Sequence, residues 1–318
     1  MTKLDIIIVN WNAGEQLRAC LASVAEARRT GFVLDRVVVV DNASSDGSAG
    51  GLDYPSLNLV VIRNARNRGF AAACNQGAAG STADYLLFLN PDTVLRADSL
   101  ESPIAFAERP ERGDIGIIGI RLVEERGAPS PSCARFPTFG TLLAKSLGLY
   151  RISRRLFPTY AMTARDHNRS GEVDYVSGAF FLARRGAFAG LGGFDERFYV
   201  YFEETDLAKR MRGKGMKSYF LAEAEAFHRG GGVSEQAVAQ RLFYAAASRI
   251  LYARKHFGAA RASAFTAIAL TIEPLVRIAA ALLSGSFDSL KENIHGYGML
   301  YRAFPRIARG MSVHDEGS

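Results

Sequence analysis

Apolar and polar positions alternate in blocks over the first 120 residues. Leu4–Val9, Val37–Val40, Leu59–Ile62 and Tyr85–Leu89 are short runs rich in Ile, Val and Leu, which predicts four buried strands. Between them, stretches near 14–28 and 69–80 carry apolar residues at helical spacing. Strand, helix and strand in that order predict an α/β protein with a Rossmann-like, mainly parallel central sheet covered by helices on both faces. Beyond it, Val173–Leu182 reads as another buried strand segment, and Arg185–Leu191 as a helix stopped by Gly192-Gly193. Glu203–Arg210 reads as a helix with acids first and bases last, as the macrodipole favours. Glu235–Phe257 and Phe265–Leu283 predict a helical C-terminal region over 235–318.

A parallel sheet gathers ligands at the C-terminal ends of its strands. Here those ends read Asn10-Trp11-Asn12, Asp41-Asn42-Ala43-Ser44-Ser45-Asp46-Gly47 and Asn90-Pro91-Asp92-Thr93. Asn, Asp and Ser at such places are also common turn formers and helix caps, and Ser44, Ser45 and Asp46 fit either role. Asp41 and Asp92 say more, because two strand-terminal carboxylates on one crevice suit a metal or a nucleotide. Neither GxGxxG nor GxxxxGK[ST] is present, so a dinucleotide or P-loop site lacks its phosphate loop. The densest acidic cluster is Asp195, Glu196, Glu203, Glu204 and Asp206, entered through the aromatic run Phe198–Phe202 that would shield it from water.

The 318 residues suffice for one large domain or two ordinary ones, and 48% hydrophobic against 22% charged residues excludes a mainly disordered chain. Cys20, Cys74 and Cys133 are odd in number and widely spaced, which favours reduced thiols in a cytosol-like compartment. The apolar run at the start is short and broken by Asp5, unlike a secretory signal. Net charge is +7 and uneven: residues 1–228 hold 28 basic and 26 acidic groups, and 229–318 hold 11 and 6. From Glu124 to Gly171 the sequence turns irregular and Pro-containing, and between Arg135 and Arg169 seven basic residues face Asp166 alone; the stretch reads as a solvated loop or helical insertion, or as a positive lip for an anionic acceptor. The largely apolar run Phe265–Leu283, 19 residues long, approaches a bilayer-spanning length, but Glu273, Pro274 and Arg277 argue against a full span. An interfacial helix or ordinary helix packing remains.

Taken together and in order, Asn10-Trp11-Asn12, Asp41-Asn42 through Asp46-Gly47, Asn67-Arg68-Gly69-Phe70 through Asn75-Gln76-Gly77, Asn90-Pro91-Asp92, Gly178–Leu182, Gly192–Glu196, Glu203–Leu207 and His228 resemble glycosyltransferase family 2, in its rhamnosyltransferase-like branch. The resemblance spans roughly residues 4–234 and implies a GT-A domain over 1–234, nucleotide-binding to about 123 and acceptor-binding from about 124. It implies that Asp41 binds a pyrimidine base and that Asn10 and Asn12 line the nucleotide pocket. Asn67, Gly69 and Asn75 would shape the ribose and sugar side. Asn90 takes the first position of a usual Asp-x-Asp, which leaves a Mg²⁺ or Mn²⁺ ion to Asp92, helped by His228. Glu204 would be the catalytic base of an inverting transfer, one methylene longer than the usual Asp, with Glu203 and Asp206 orienting it or binding acceptor.

The implied donor is TDP-rhamnose or else a UDP-sugar (galactofuranosyl or N-acetylglucosaminyl), and the implied acceptor a saccharide on a polyprenyl diphosphate for bacterial surface polysaccharide. A cytoplasmic enzyme, peripheral on the inner face of the plasma membrane, would meet both. A glycosidase using Glu203 or Glu204 would leave Asp41 and Asp92 idle. A basic membrane- or nucleic-acid-binding module finds no supporting motif, and no nucleic-acid partner is expected.

Overall fold

The computed structural model describes residues 1–124, 127–162, 166–230 and 238–313. In chain order the elements are β1 (Thr2–Asn10), α1 (Glu15–Glu26), β2 (Phe32–Asp41), β3 (Leu59–Arg63), α2 (Phe70–Ala78), β4 (Tyr85–Leu89), β5 (Thr93–Leu95), α3 (Glu101–Ala107), β6 (Ile115–Val123), β7 (Pro129–Ser130), β8 (Cys133–Ala134) and α4 (Phe139–Ser146). They continue with β9 (Gly171–Val173), β10 (Tyr175–Val176), β11 (Phe180–Arg184), α5 (Arg185–Gly190), α6 (Glu203–Arg212), β12 (Lys217–His228), α7 (Val238–His256), α8 (Ala259–Leu283) and α9 (Phe287–Ala308). The chain divides into two compact units. One holds residues 1–136, 161–195 and 204–233, and the other 137–160, 196–203 and 234–318. The helical unit therefore reaches beyond 235–318 and recruits two earlier segments.

In the sheet unit the strand order is β3-β2-β1-β4-β11-β6-β12-β5. Six of these eight strands run one way, and β11 and β5 run against their neighbours. The period of two sends alternate side chains to opposite faces. Ile6, Ile8, Val37 and Val39 join Leu17 and Leu21 of α1 in one core, whereas Ile7, Val9, Val38 and Val40 join Ala71, Ala73 and Cys74 of α2 in another. This two-sided burial is why β1 and β2 read as unbroken apolar runs rather than alternating ones. At Gly77 a Cβ would stand 2.5 Å from Ile7 Cγ2, so only glycine lets α2 approach β1 this closely. The three cysteines are free and buried.

The expected strand over 173–182 is broken into β9, β10 and β11. Val176 of β10 leaves the main sheet to pair with Cys133 of β8 and sits over Gly119, where an added Cβ would meet Val176 Cβ at 2.5 Å. The stretch 124–171, expected as a solvated loop or helical insertion, carries β7, β8 and α4 within its described residues, and α4 is opened by a reciprocal Thr138–Thr141 capping box.

In the helical unit Phe198, Phe202, Phe243, Ile250, Tyr252, Phe265 and Leu300 form one core. Helix α8 is long and apolar enough to cross a membrane by length and composition. Its interruptions all have packing partners: Glu273 and Pro274 are buried, and Glu273 Oε1 accepts from Arg249 Nη2 at 2.8 Å and from Arg277 Nε at 3.0 Å. Arg249 also donates to Ser146 Oγ of α4 at 2.7 Å. Leu275, Leu282, Leu283 and Phe287 are left exposed. Burial pushes the Glu273 carboxyl up, but the Arg249 charge and hydrogen bond, with Arg277 and Ser146, outweigh it and hold it below its ordinary 4.5. Its contribution to stability is thus full above pH 4.5 and is lost as pH falls through the lower folded value. Glu273→Gln leaves the buried Arg249 without its counter-charge and should cost about 3–5 kcal/mol at pH 7 in urea unfolding. That gap should narrow in acid, where the parent loses the same contribution.

Candidate active site

The ends of β1 and β2 lie side by side, with Asn10 in register with Asp41. Asn10 is fully buried, and its Nδ2 lies 2.9 Å from Asp41 Oδ1, 3.0 Å from Ser44 Oγ and 2.8 Å from Ser48 Oγ. An amide nitrogen has two hydrogens for these three acceptors, so one is shared. Asn10 Oδ1 has no partner among the described residues. Beyond the strands, Asn12 and Ala43 adopt left-handed backbone, φ 51° and 64°. Two bonds hold them there: Asn12 N–H donates to Ser44 Oγ at 2.9 Å, and Ser45 N–H donates to Asn12 Oδ1 at 2.7 Å. Asp46 accepts from Gly14 N–H and from the Ser48 N–H and hydroxyl. Burial raises the Asp46 carboxyl, and these hydrogen bonds more than reverse it, leaving it below the usual range. Ser44, Ser45 and Asp46 therefore stitch two loops together, while α1 begins at Gly14 with no side-chain cap.

Asn42 and Asn67 build the next wall. Asn42 Nδ2 donates to Asn67 Oδ1 at 2.8 Å and to the Gly69 carbonyl at 3.2 Å, and Asn42 Oδ1 accepts from Arg68 N–H and Asn64 Nδ2. Asn67 Oδ1 also accepts from the N–H of Gly69, whose φ of 85° opens α2. Asn75 reaches elsewhere: its amide grips the Phe194 backbone in both directions at 2.9 Å. Gly193, at φ 74°, would place a Cβ 2.5 Å from Asn75 Oδ1. From α6, Arg210 donates to the Leu191 and Gly193 carbonyls at 2.9 and 2.8 Å and pairs with fully buried Asp206 at 2.7 Å. Asn75 and Asp206 thus both hold the 191–195 loop.

Asn90-Pro91-Asp92 turns the chain from β4 into β5. Asn90 N–H and Thr93 Oγ1–H both donate to the Ala179 carbonyl, and Thr93 N–H donates to the Asn90 carbonyl. Behind the turn, Cys20 Sγ lies 3.6 Å from that same carbonyl oxygen. Burial first, and the Asp92 charge second, push the thiol up, so it stays neutral and can donate. Antiparallel pairing sets His228, the last residue of β12, opposite Thr93. As a result His228 Nε2 stands 3.4 Å from Asp92 Oδ1, with both side chains largely buried. His228 Nδ1 has no hydrogen-bond partner among the described residues. One carboxylate and one imidazole converging at a strand tip are a donor set that fits a divalent cation. Among the described residues no group of three or more His, Cys, Asp or Glu side chains converges.

Glu204 lies half-buried in the first turn of α6, beside buried Glu203. The two residues before them, Tyr201 and Phe202, both have left-handed backbone, φ 69° and 71°. Consecutive bulky residues in that region are strained, and such strain persists only where packing over-determines it. Phe202 meets Tyr160 and Tyr252 with ring centroids 6.2 and 5.3 Å apart. The sequence named Glu203, Glu204 and Asp206 but not Arg210, although the Asp206–Arg210 spacing of four on a helix was a readable signal. Asn64 and Ser48 were missed, and Asn42 was read only as part of the strand-end cluster, since a loop amide or hydroxyl gives no sign in sequence of which group it serves.

Comparisons with known proteins agree with this architecture. The N-acetylglucosaminyl-diphospho-decaprenol L-rhamnosyltransferase of Mycobacterium tuberculosis is 28% identical over 243 residues, covering 71% of this chain and 75% of that protein. Rhamnosyltransferase WbbL of Escherichia coli K12 is 27% identical over 179 residues, 56% of this chain and 64% of that one. Among solved structures, a Pyrobaculum calidifontis mannosyltransferase in complex with GDP-Man and Mn²⁺ superposes with a TM-score of 0.54 at 16% identity, over 99% of this chain and 88% of that one. Staphylococcus aureus TarS 1–349 in complex with UDP-GlcNAc gives the same TM-score and identity, over 98% and 84%. These likenesses show the GT-A fold. The sequence profile described as glycosyl transferase family 2 matches residues 5–192, and the chain belongs to that family.

Proposed function

We propose that this glycosyltransferase moves L-rhamnose from TDP-rhamnose, with inversion, to a saccharide carried on a polyprenyl diphosphate. The observation that carries the reading is the meeting of Asp92 and His228 in the turn that follows β4, on the same sheet whose β1 and β2 end in the Asn10–Asp41 pair. Asp41, oriented by Asn10, presents a carboxylate oxygen to the pyrimidine base. The loop walls built by Asn12, Asn42, Asn67 and Gly69 enclose the nucleotide, with Asn90 at the sugar end. Asp92 and His228 would hold Mg²⁺ or Mn²⁺, whose charge offsets that of a departing nucleoside diphosphate. Two protein ligands suit either ion, and an imidazole favours Mn²⁺.

Glu204 takes the proton from the acceptor hydroxyl as that oxygen attacks the anomeric carbon opposite the diphosphate. A single displacement of this kind inverts the centre. Glu203 shares its turn, and Asp206 acts through Arg210 on the 191–195 loop. Asn75 serves the sugar side by fixing Phe194. Membership of a nucleotide-sugar transferase family sets aside the glycosidase alternative. The acceptor class follows the decaprenol-linked substrate in the name of the M. tuberculosis relative. Exposed Leu275, Leu282, Leu283 and Phe287 support an interfacial position at the cytoplasmic face, where such a lipid is reached.

A donor panel of TDP-rhamnose, UDP-galactofuranose and UDP-N-acetylglucosamine, assayed with Mg²⁺ and with Mn²⁺, tests the reading. Metal-stimulated release of TDP is expected from the parent and none from Asp92→Ala; UDP release instead would replace the donor, and full activity of Asp92→Ala would remove it from the cation site. Glu204→Gln should bind donor as the parent does while kcat falls by about 10²–10⁴-fold. Turnover at the parent rate would assign the base to another acid.

A further inference from the structure

We propose that residues 151–156 of the helical unit, together with the exposed face of α8, dock on an anionic lipid surface, with arginines on headgroup phosphates and Ile152 and Leu156 in the apolar boundary beneath. The inference deepens the interfacial position proposed above by naming a segment and the lipid charge it selects. Its first observation is where exposed apolar side chains lie. Met1 apart, every large apolar side chain more than half exposed among the described residues belongs to the helical unit: Ile152 and Leu156 on the loop after α4, and the rest on α8 and α9. Single exposed apolar residues are ordinary, but a set confined to one unit marks an interaction surface.

The loop is held by its own bonds. Ile152 N–H donates to the Leu149 carbonyl at 3.0 Å, and Ser153 closes a further turn, its Oγ accepting from Leu156 N–H at 3.2 Å and its carbonyl from Phe157 N–H at 2.9 Å. Even so, Ile152 and Leu156 stand 78% and 74% exposed, so covering them with apolar material is favourable. Arg151, Arg154 and Arg155 are exposed around them. Neither Arg154 nor Arg155 has an ion pair among the described residues, and 137–160 contains no Asp or Glu. The loop adjoins α8: Leu142 of α4 shares a core with Phe265 and Ala269, and the Arg277 charge reaches Tyr150. A hydrogen bond from Arg151 Nε at 3.4 Å, then the charges of Arg151, Lys145 and Arg277, outweigh burial and hold the Tyr150 hydroxyl below its ordinary 10.0. From Ser263 to Leu283 every exposed residue of α8 is uncharged. Guanidinium groups bind phosphate oxygens in pairs while neighbouring aliphatic side chains enter the layer below, which is the chemistry of an anionic headgroup boundary. A second copy fits less well, because a two-fold contact through this loop would set its arginines against their own images.

The test is co-sedimentation of the full chain with phosphatidylglycerol–phosphatidylcholine vesicles, against phosphatidylcholine alone. The parent should partition onto the anionic vesicles and only weakly onto the neutral ones, and salt should reduce the difference. Arg154→Gln with Arg155→Gln should weaken the anionic partition by about thirtyfold and leave the neutral one as it is. Ile152→Ser with Leu156→Ser should weaken both by about tenfold or more. All four positions are exposed, so these variants should melt like the parent and, without vesicles, bind TDP as it does. Leu282→Ser with Leu283→Ser tests the α8 face by itself. Loop variants that sediment like the parent, while the Leu282 and Leu283 double variant is released, would overturn the proposal and leave the interfacial position standing. Equal partition of the parent onto both kinds of vesicle would overturn it too, as would a dimer of the parent in light scattering that Ile152→Ser with Leu156→Ser takes apart. The readout is lipid binding, so its failure is separate from any failure of the transferase chemistry.

Discussion

The pairing of a three-residue edge strand, β5, with the end of β12 is the constraint on which the proposed cation site depends. It brings His228 across from Thr93, and hence to Asp92, from a point in the chain 136 residues away. The register is held from several directions. Thr93 spends both its N–H and its hydroxyl on the Asn90 and Ala179 carbonyls, and β12 is fixed along its length by β6. A slip of one residue would turn the imidazole to the other face of the sheet, because strand side chains alternate.

Where the strands stop, the ladder stops too, and their loops must satisfy backbone polar groups by other means. This protein does so with side chains of Asn, Ser and Asp. Asn42 closes on Asn67 and Arg68, Asp46 on Gly14 and Ser48, and Asn75 on Phe194, each standing in for a missing peptide partner. These bonds tie the loops to one another and to the strand ends. Glycines at positive φ, Gly69 and Gly193, sit where a Cβ or ordinary backbone would break the arrangement.

Much of this was readable in advance. The first four strands and first two helices follow from apolar runs buried on two faces, and the Asn and Asp clusters do lie at the strand ends, where they bond to one another. The meeting of His228 with Asp92 was open only to resemblance, since spacing in sequence carries no information on which distant strands pair. The break of 173–182 into three pieces was hidden as well: its apolar run looks continuous, and what diverts it is Val176 packing over Gly119. Glu273 was visible as an interruption of the apolar run, but its partner Arg249 lies on another helix and could not be read from spacing. The left-handed Tyr201–Phe202 step before Glu203 could not be foreseen, because bulky residues take that backbone only where packing compels them.

The account turns on one cation held between a carboxylate and an imidazole. Mn²⁺ bound to the full chain with TDP, examined by electron spin echo envelope modulation, reports directly on a ligating nitrogen. A ¹⁴N coupling that is present in the parent and vanishes in His228→Ala is the expected result. Tight Mn²⁺ binding with no nitrogen coupling, or a coupling that survives the loss of His228, would contradict it.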